Sequence, residues 1–242
     1  MKYGIIGGSG LTRLKDLRID HREIVKTPYG EASAPLIHGK FGEVDLVFLP
    51  RHGSGHRLPP DRINYRANIW AMKQLGISEV IGIATVGGIS SPPNSLVIPD
   101  QIIDYTWGRE QTYFDGHDGN VSHIDFSEPY CETLRQKLIT AARASGSQPI
   151  SEGVYGATQG PRLETAAEIR RMRQDGCDLV GMPAMPEASL AREAGLCYAT
   201  CALVVNWAAG IGDEGPINQQ LINKYLEQGL ESVRRLVSEL ES

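Results

Sequence analysis

Short apolar runs alternate with amphipathic ones along this chain. Tyr3 to Ile6, Val44 to Leu49, Glu79 to Ala84, Leu96 to Ile98, Asp178 to Met182 and Tyr198 to Val205 are short, β-branched and bounded by Gly, Pro or Asp. That is the pattern of buried strands. Between them the spacing turns helical. Asp61 can cap a helix whose apolar face carries Ile63, Ala67, Trp70 and Ala71 and which stops at Gly76. Glu132 to Ala144 sets Leu134, Leu138 and Ala142 on one face. Glu164 to Met172 and Glu187 to Ala194 predict shorter helices, the second stopped by Gly195. A last helix follows Pro216, with Leu221, Ile222, Tyr225, Leu230, Val233 and Leu236 at helical spacing. The alternation predicts an α/β fold in which helices flank a central mixed β-sheet. No linker, repeat or low-complexity run interrupts it, so residues 1–242 are expected to form a single domain. Trp107 to Ser127 is a long polar loop, and such loops inside compact domains tend to be functional.

Composition narrows the function classes. Apolar residues make up 41% and charged residues 22% of the 242 positions, as in an ordinary globular protein. The net charge of −5 and the lack of a basic stripe argue against nucleic acid as a partner. No apolar run approaches the ~20 residues of a membrane span. Met1 to Gly7 leads straight into a strand, without a signal core, so the cytoplasm is the expected compartment. Cys131, Cys177, Cys197 and Cys201 form no C-x-x-C. Cys197 and Cys201 should face one side of a strand and pack as small hydrophobes, and no disulfide framework is expected.

The candidate chemistry sits where strands end. The first strand runs into Gly7-Gly8-Ser9-Gly10. Backbone amides and the Ser9 hydroxyl there suit an anion, or the segment is a plain tight turn. A dinucleotide fingerprint fails, because Arg13 stands where its last Gly belongs. Arg51-His52-Gly53 follows the second run, either as a phosphate clamp or as a solvated basic loop. His52 and His56 have no carboxylate between them, and a zinc site is not expected. Ala84-Thr85-Val86-Gly87-Gly88 is a further strand-to-Gly turn. Ligands collect at strand carboxyl ends in α/β sheets, so these turns are stronger together than singly. Gly160-Pro161-Arg162-Leu163-Glu164-Thr165 is also ordinary helix-start chemistry. The run Ala202 to Val205 is apolar and stops at Asn206, which aims an amide out of a buried strand.

Together these segments resemble the nucleoside phosphorylase family, in the branch holding methylthioadenosine phosphorylases and trimeric purine nucleoside phosphorylases. The resemblance runs over essentially the whole chain. It includes the opening from Gly4 to Leu11, the Arg51-His52-Gly53 turn, Asn64 to Ala71, Gly160 to Thr165, Gly181 to Glu187 and the strand into Asn206. It implies pentosyl transfer from a purine nucleoside to inorganic phosphate, with phosphate as co-substrate and neither cofactor nor metal. Ser9, Arg51, His52 and Thr85 are then the phosphate-binding residues. Ala84, Val86, Leu163, Met182, Asn206, Ala208 and Gln219 face the nucleoside, and a neighbouring subunit of a homotrimer lends His123. Two departures stand out. Pro183 occupies the place of a phosphate-binding Thr in methylthioadenosine phosphorylases, and Ala84 that of another Thr. Thr85 is expected to supply a missing contact.

Within that frame two residues read the base. Adenine-type members carry Asp at both positions of a D-x-D where this chain has Asn206 and Ala208. An amide donates to a six-oxo group and accepts from a protonated ring nitrogen. Glu164 accepts from the ring N–H that hypoxanthine has and adenine lacks. Asn206 and Glu164 are therefore the expected catalytic pair, assisting the leaving base. Six-oxopurine members place a His near the C-terminal helix for the sugar 5′-hydroxyl, whereas this chain has none beyond His123. Ile211, Ile217, Leu221 and Ile222 instead predict an apolar cover suited to a methylthio group, with Gln219 the one polar group able to meet a hydroxyl. The expected substrate is 5′-methylthioinosine. Inosine or guanosine, methylthioadenosine, and a catalytically silent nucleoside or phosphate sensor are the alternatives.

Overall fold

The computed structural model describes residues 2–8, 17–116, 119–212 and 219–240. Its centre is a ten-stranded mixed sheet. Strands β1 (Lys2–Gly7), β6 (Val44–Pro50), β7 (Glu79–Gly88) and β12 (Cys197–Trp207) supply the middle. β1 pairs in parallel with β6 on one side and with the first half of β7 on the other. β12 runs parallel to β7 along its length. β1 ends opposite Ile83, while β7 continues to Gly88 and there meets β11 (Leu179–Gly181) antiparallel. This handover from β1 to β11 opens a crevice at the carboxyl ends of the strands, where α/β sheets bind ligands.

The middle strands read as continuous apolar runs because both their faces are buried. Ile6, Leu49 and Val80 join one core with α1 (Tyr65–Gln74) and α4 (Ala184–Glu193). Their neighbours Ile5, Phe48 and Ile81 join the other, with α2 (Glu132–Ala144) and α5 (Gln219–Ser238). The two-residue period of a strand sends adjacent side chains to opposite layers.

Several boundaries differ from the sequence expectation. Asp61 lies in a 3₁₀ turn at Pro60–Arg62, and α1 starts later, capped by Asn64 accepting from the Ala67 amide at 3.0 Å. The expected helix at Glu164 is α3 (Ala166–Gln174), where Thr165 and Glu168 form a reciprocal capping box. Glu164 is thereby left outside the helix. Strands β2 (Leu17–Glu23) and β5 (Leu36–Phe41) form an antiparallel edge that the periodicity missed, since most of β2 is solvent-exposed and polar. The remaining elements are the small β3–β4 ribbon (Lys26–Thr27 and Gly30–Glu31), β8 (Leu96–Val97), β9 (Gln101–Asp104) and β10 (Val154–Ala157).

One further expectation is corrected. Cys131 and Cys197 form a disulfide with Cα atoms 5.2 Å apart, while Cys177 and Cys201 are free and buried. The Cys131 amide donates to the Tyr198 carbonyl at 2.8 Å, which sets the entry to α2 against the start of β12. A separation of 66 residues leaves no local signal of that approach. The polar loop after Trp107 also belongs partly to its own chain. Arg109 is buried and donates to the carbonyls of Met182 at 2.7 Å, Gln159 at 2.8 Å and Thr158 at 3.0 Å. Tyr113 packs between Tyr29 and Trp70, and its amide donates to Glu193 at 2.7 Å.

Candidate active site

The crevice holds a cavity of about 650 Å³. Gly8 after β1, Arg51 and His52 after β6, Ala84 to Gly87 on β7, Val205 and Asn206 of β12 and Ala208 just past it line the cavity. Leu163, Glu164 and Met182 also line it, and Ile222, Leu226 and Leu230 of α5 add an apolar surface. Thus Arg51, His52, Ala84, Thr85, Val86, Leu163, Glu164, Met182, Asn206 and Ala208, proposed from far-separated segments, share one chamber. Ser9 lies outside the described residues, although its neighbour Gly8 borders the cavity. The same holds for Ile217 and the Gln219 side chain. Leu221 is not among the lining residues, and Ile211 instead packs against the small core of Ile169, Met172 and Ala208. His123 is exposed and does not line the cavity of its own chain.

Arg51 is not a free clamp. Its side chain is 2% exposed and lies against that of Glu187, which is fully buried. Nε and Nη2 both donate to the carboxylate, the latter at 3.0 Å. Nη2 also donates to the Ile6 carbonyl at 3.0 Å and Nη1 to that of Ile83 at 2.8 Å. Burial opposes the charge, but the Glu187 carboxylate more than restores it, so the guanidinium stays ionised. Tyr198 donates its hydroxyl to Glu187 at 2.9 Å. Gly82 makes room for it, since a Cβ there would stand 2.0 Å from that oxygen. Of the five guanidinium protons one, on Nη1, is left for the cavity. The buried pair therefore presents a directed donor with little net charge.

His52 is fixed in one tautomer. Its Nδ1 lies 2.8 Å from the Leu58 carbonyl and must carry the proton, because a carbonyl only accepts. Burial, aided by Arg51 and His56, lowers its pKa to about 4, against the bond to Leu58. At neutral pH Nε2 is consequently an acceptor. Thr85, the one exposed position in the second half of β7 before Gly87, places a hydroxyl at the cavity wall. Pro183 lines the cavity without a donor.

A further set of polar side chains lines the same cavity. β12 shifts register between Val204 and Asn206. Such a bulge re-aims side chains and is common beside active sites. Asn206 Nδ2 donates to the Trp207 carbonyl at 2.7 Å, so its second N–H and its carbonyl oxygen remain. Thr158 donates to Glu164 Oε1 at 2.6 Å, which holds that carboxylate from below β10. Sequence reasoning missed Glu187, Arg57, Leu226 and Leu230. Leu226 and Leu230 belong to the same stripe as Ile222, which was legible as apolar but not as shared between core and cavity. Three metal-ligand side chains converge only elsewhere among the described residues, at His21, Glu23 and His38.

Comparison with known proteins agrees over the full length. The phosphorylase superfamily model matches residues 2–240. A probable S-methyl-5′-thioinosine phosphorylase of Xanthomonas campestris pv. campestris is 48% identical over 98% of this chain and 95% of its own. A 6-oxopurine nucleoside phosphorylase of Pyrococcus furiosus is 43% identical over 98% of this chain and 90% of its own. Among solved structures, the methylthioadenosine phosphorylase of Schistosoma mansoni in complex with adenine superposes with a TM-score of 0.92 at 34% identity, covering 99% of this chain and 90% of that one.

Proposed function

The chain belongs to the phosphorylase superfamily, and we propose that it splits 5′-methylthioinosine with inorganic phosphate into hypoxanthine and 5-methylthioribose 1-phosphate. One observation carries this reading: Asn206 and Glu164 share a cavity with the apolar Ile222, Leu226 and Leu230. A phosphate oxygen bonds to the anomeric carbon as the bond from that carbon to the purine breaks, and the electron pair leaves with the base. Positive charge grows on the ribose and negative charge on the purine. The remaining Asn206 N–H donates to the six-oxo group, the amide oxygen accepts from the protonated ring nitrogen, and Glu164 accepts the other ring N–H. Assistance to a leaving group of this kind is worth roughly 10²–10⁴ in rate.

Phosphate is assigned to Ser9, the Gly8 turn, the last Arg51 N–H, Thr85 and His52. Neutral His52 accepts from the proton that hydrogenphosphate carries, and that proton ends on the hypoxanthine. Glu164 and Asn206 together disfavour adenine, whose six-amino group is a donor and whose ring lacks the N–H. The relatives agree in part, one being named for methylthioinosine and another for six-oxopurines. The latter supports inosine as the second reading. We further assign the enzyme to purine salvage as a cytoplasmic homotrimer, in which the exposed His123 reaches a neighbour's cavity. A phosphate-coupled assay with methylthioinosine, inosine and methylthioadenosine tests the reading. Phosphate-dependent release of hypoxanthine is expected, and no release with any nucleoside would leave a sensor.

A further inference from the structure

The β2–β5 edge of the sheet carries a second constellation. His21 and His38 are direct partners across the antiparallel β2–β5 pair, and their rings stack at 4.2 Å. Glu23, two residues along β2 from His21, falls on the same face by strand alternation. One ligand atom from each of the three lies within 4.8 Å of the others. His38 is 6% exposed. Its Nε2 is buried without an aligned hydrogen bond, although Glu23 Oε2 is only 3.0 Å away. Three of these features are unusual for a solvated edge: two imidazoles, a carboxylate already at bite distance, and a buried nitrogen beside it.

We propose that His21, Glu23 and His38 bind one divalent transition-metal ion of the zinc type, with water completing the shell on the exposed side. Two His and one carboxylate are a common zinc donor set, with bonds of about 2.0–2.2 Å. Tetrahedral coordination then separates ligand atoms by roughly 3.4 Å. The Glu23–His38 contact is already within that span, and the exposed His21 has only to turn out of its stack.

Lys2 makes the site conditional. Its ammonium donates to His38 Nδ1 at 2.9 Å, so the imidazole proton sits on Nε2. A metal on Nε2 moves that proton to Nδ1, and the ammonium, on an exposed side chain, must leave. Lys2 is thus a built-in competitor of the ion. It stands at the opposite end of β1 from the Gly8 turn, so the site is separate from the proposed chemistry. Its consequence is to clasp the edge strand β2 to β5.

Cobalt(II) titration of the full chain, followed by its visible absorption, tests this. One equivalent with the intense bands of tetrahedral or five-coordinate cobalt is expected. The surface changes His21→Ala and Glu23→Gln should each weaken binding by roughly tenfold or more. Lys2→Met should strengthen it roughly fivefold, the effect of removing one nearby cation in water. All three variants should keep wild-type phosphorolysis, so the site and the proposed reaction can fail separately. No cobalt bands, an affinity unchanged by His21→Ala, or an affinity unmoved by Lys2→Met would each overturn the proposal.

Discussion

Thr158 donates its hydroxyl hydrogen bond to Glu164 Oε1 at 2.6 Å, while Thr165, next to Glu164, caps the start of α3. The two threonines divide the labour: Thr165 starts the helix and so leaves Glu164 outside it, and Thr158 orients the Glu164 carboxylate at the cavity wall. Removing the orienting bond with Thr158→Val should lower kcat/KM for six-oxopurine nucleosides about tenfold, one hydrogen bond to a charged group. The phosphate half-saturation should stay unchanged. Equal loss toward both substrates, or none, would show that Thr158 does not set Glu164.

Glu164 also shows what the sequence could reveal. Its identity pointed to a ring N–H, but its freedom depends on where α3 begins, and the Thr165–Glu168 capping box decides that. The central strands were legible because burial on both faces makes them unbroken apolar runs. β2 was not, because its residues face water and its place is set by pairing with β5. Arg51 was legible as an Arg at a strand end. Its partner Glu187 is 136 residues away, and nothing local in the chain announces their pairing. Asn206 was found as the polar end of an apolar run, yet its aim rests on a bulge that no pattern displays.

The Arg51–Glu187 pair makes a prediction about stability and phosphate together. Breaking a buried pair from one side strands a charge and costs about 3–5 kcal/mol. Arg51→Met and Glu187→Leu should each lower the unfolding free energy measured by urea titration by that amount. The double variant should recover much of it, because a buried pair can be replaced by apolar groups with little loss. Its phosphate half-saturation should nonetheless rise about 10- to 150-fold, the loss of one charge-assisted bond of about 1.5–3 kcal/mol. Strictly additive losses in stability would refute the coupling, and an unchanged half-saturation would remove Arg51 from the phosphate site.

His52 should leave a mark on the pH dependence of folding. Its folded pKa is about 4, against about 6.5 for an unfolded His. Between these values the unfolded chain holds a proton that the folded chain does not. Stability must therefore fall as pH drops from about 6.5 toward 4, and rise again with pH over that window. His52→Gln should flatten this part of the curve. Urea unfolding at neutral and mildly acidic pH would show it, and an identical slope in the variant would contradict the buried, neutral imidazole.

Asn206→Asp should shift preference from six-oxo toward six-amino purines. A carboxylate facing an oxo group sets two acceptors against each other, at a cost of roughly 1–3 kcal/mol. The ratio of inosine to adenosine efficiencies should fall by about 5- to 150-fold. A ratio that does not move would mean that Asn206 does not read the six position.

The central claim rests on the apolar part of the cavity lining, Ile222, Leu226 and Leu230. Burying a methylthio group there gains apolar contact, and burying a hydroxyl strands it. Each effect is about 1–3 kcal/mol. The most direct measurement is kcat/KM for methylthioinosine and inosine, side by side in one phosphate-coupled assay. The account predicts that methylthioinosine is favoured roughly 10- to 1000-fold. Equal efficiencies, or a preference for inosine, would contradict it.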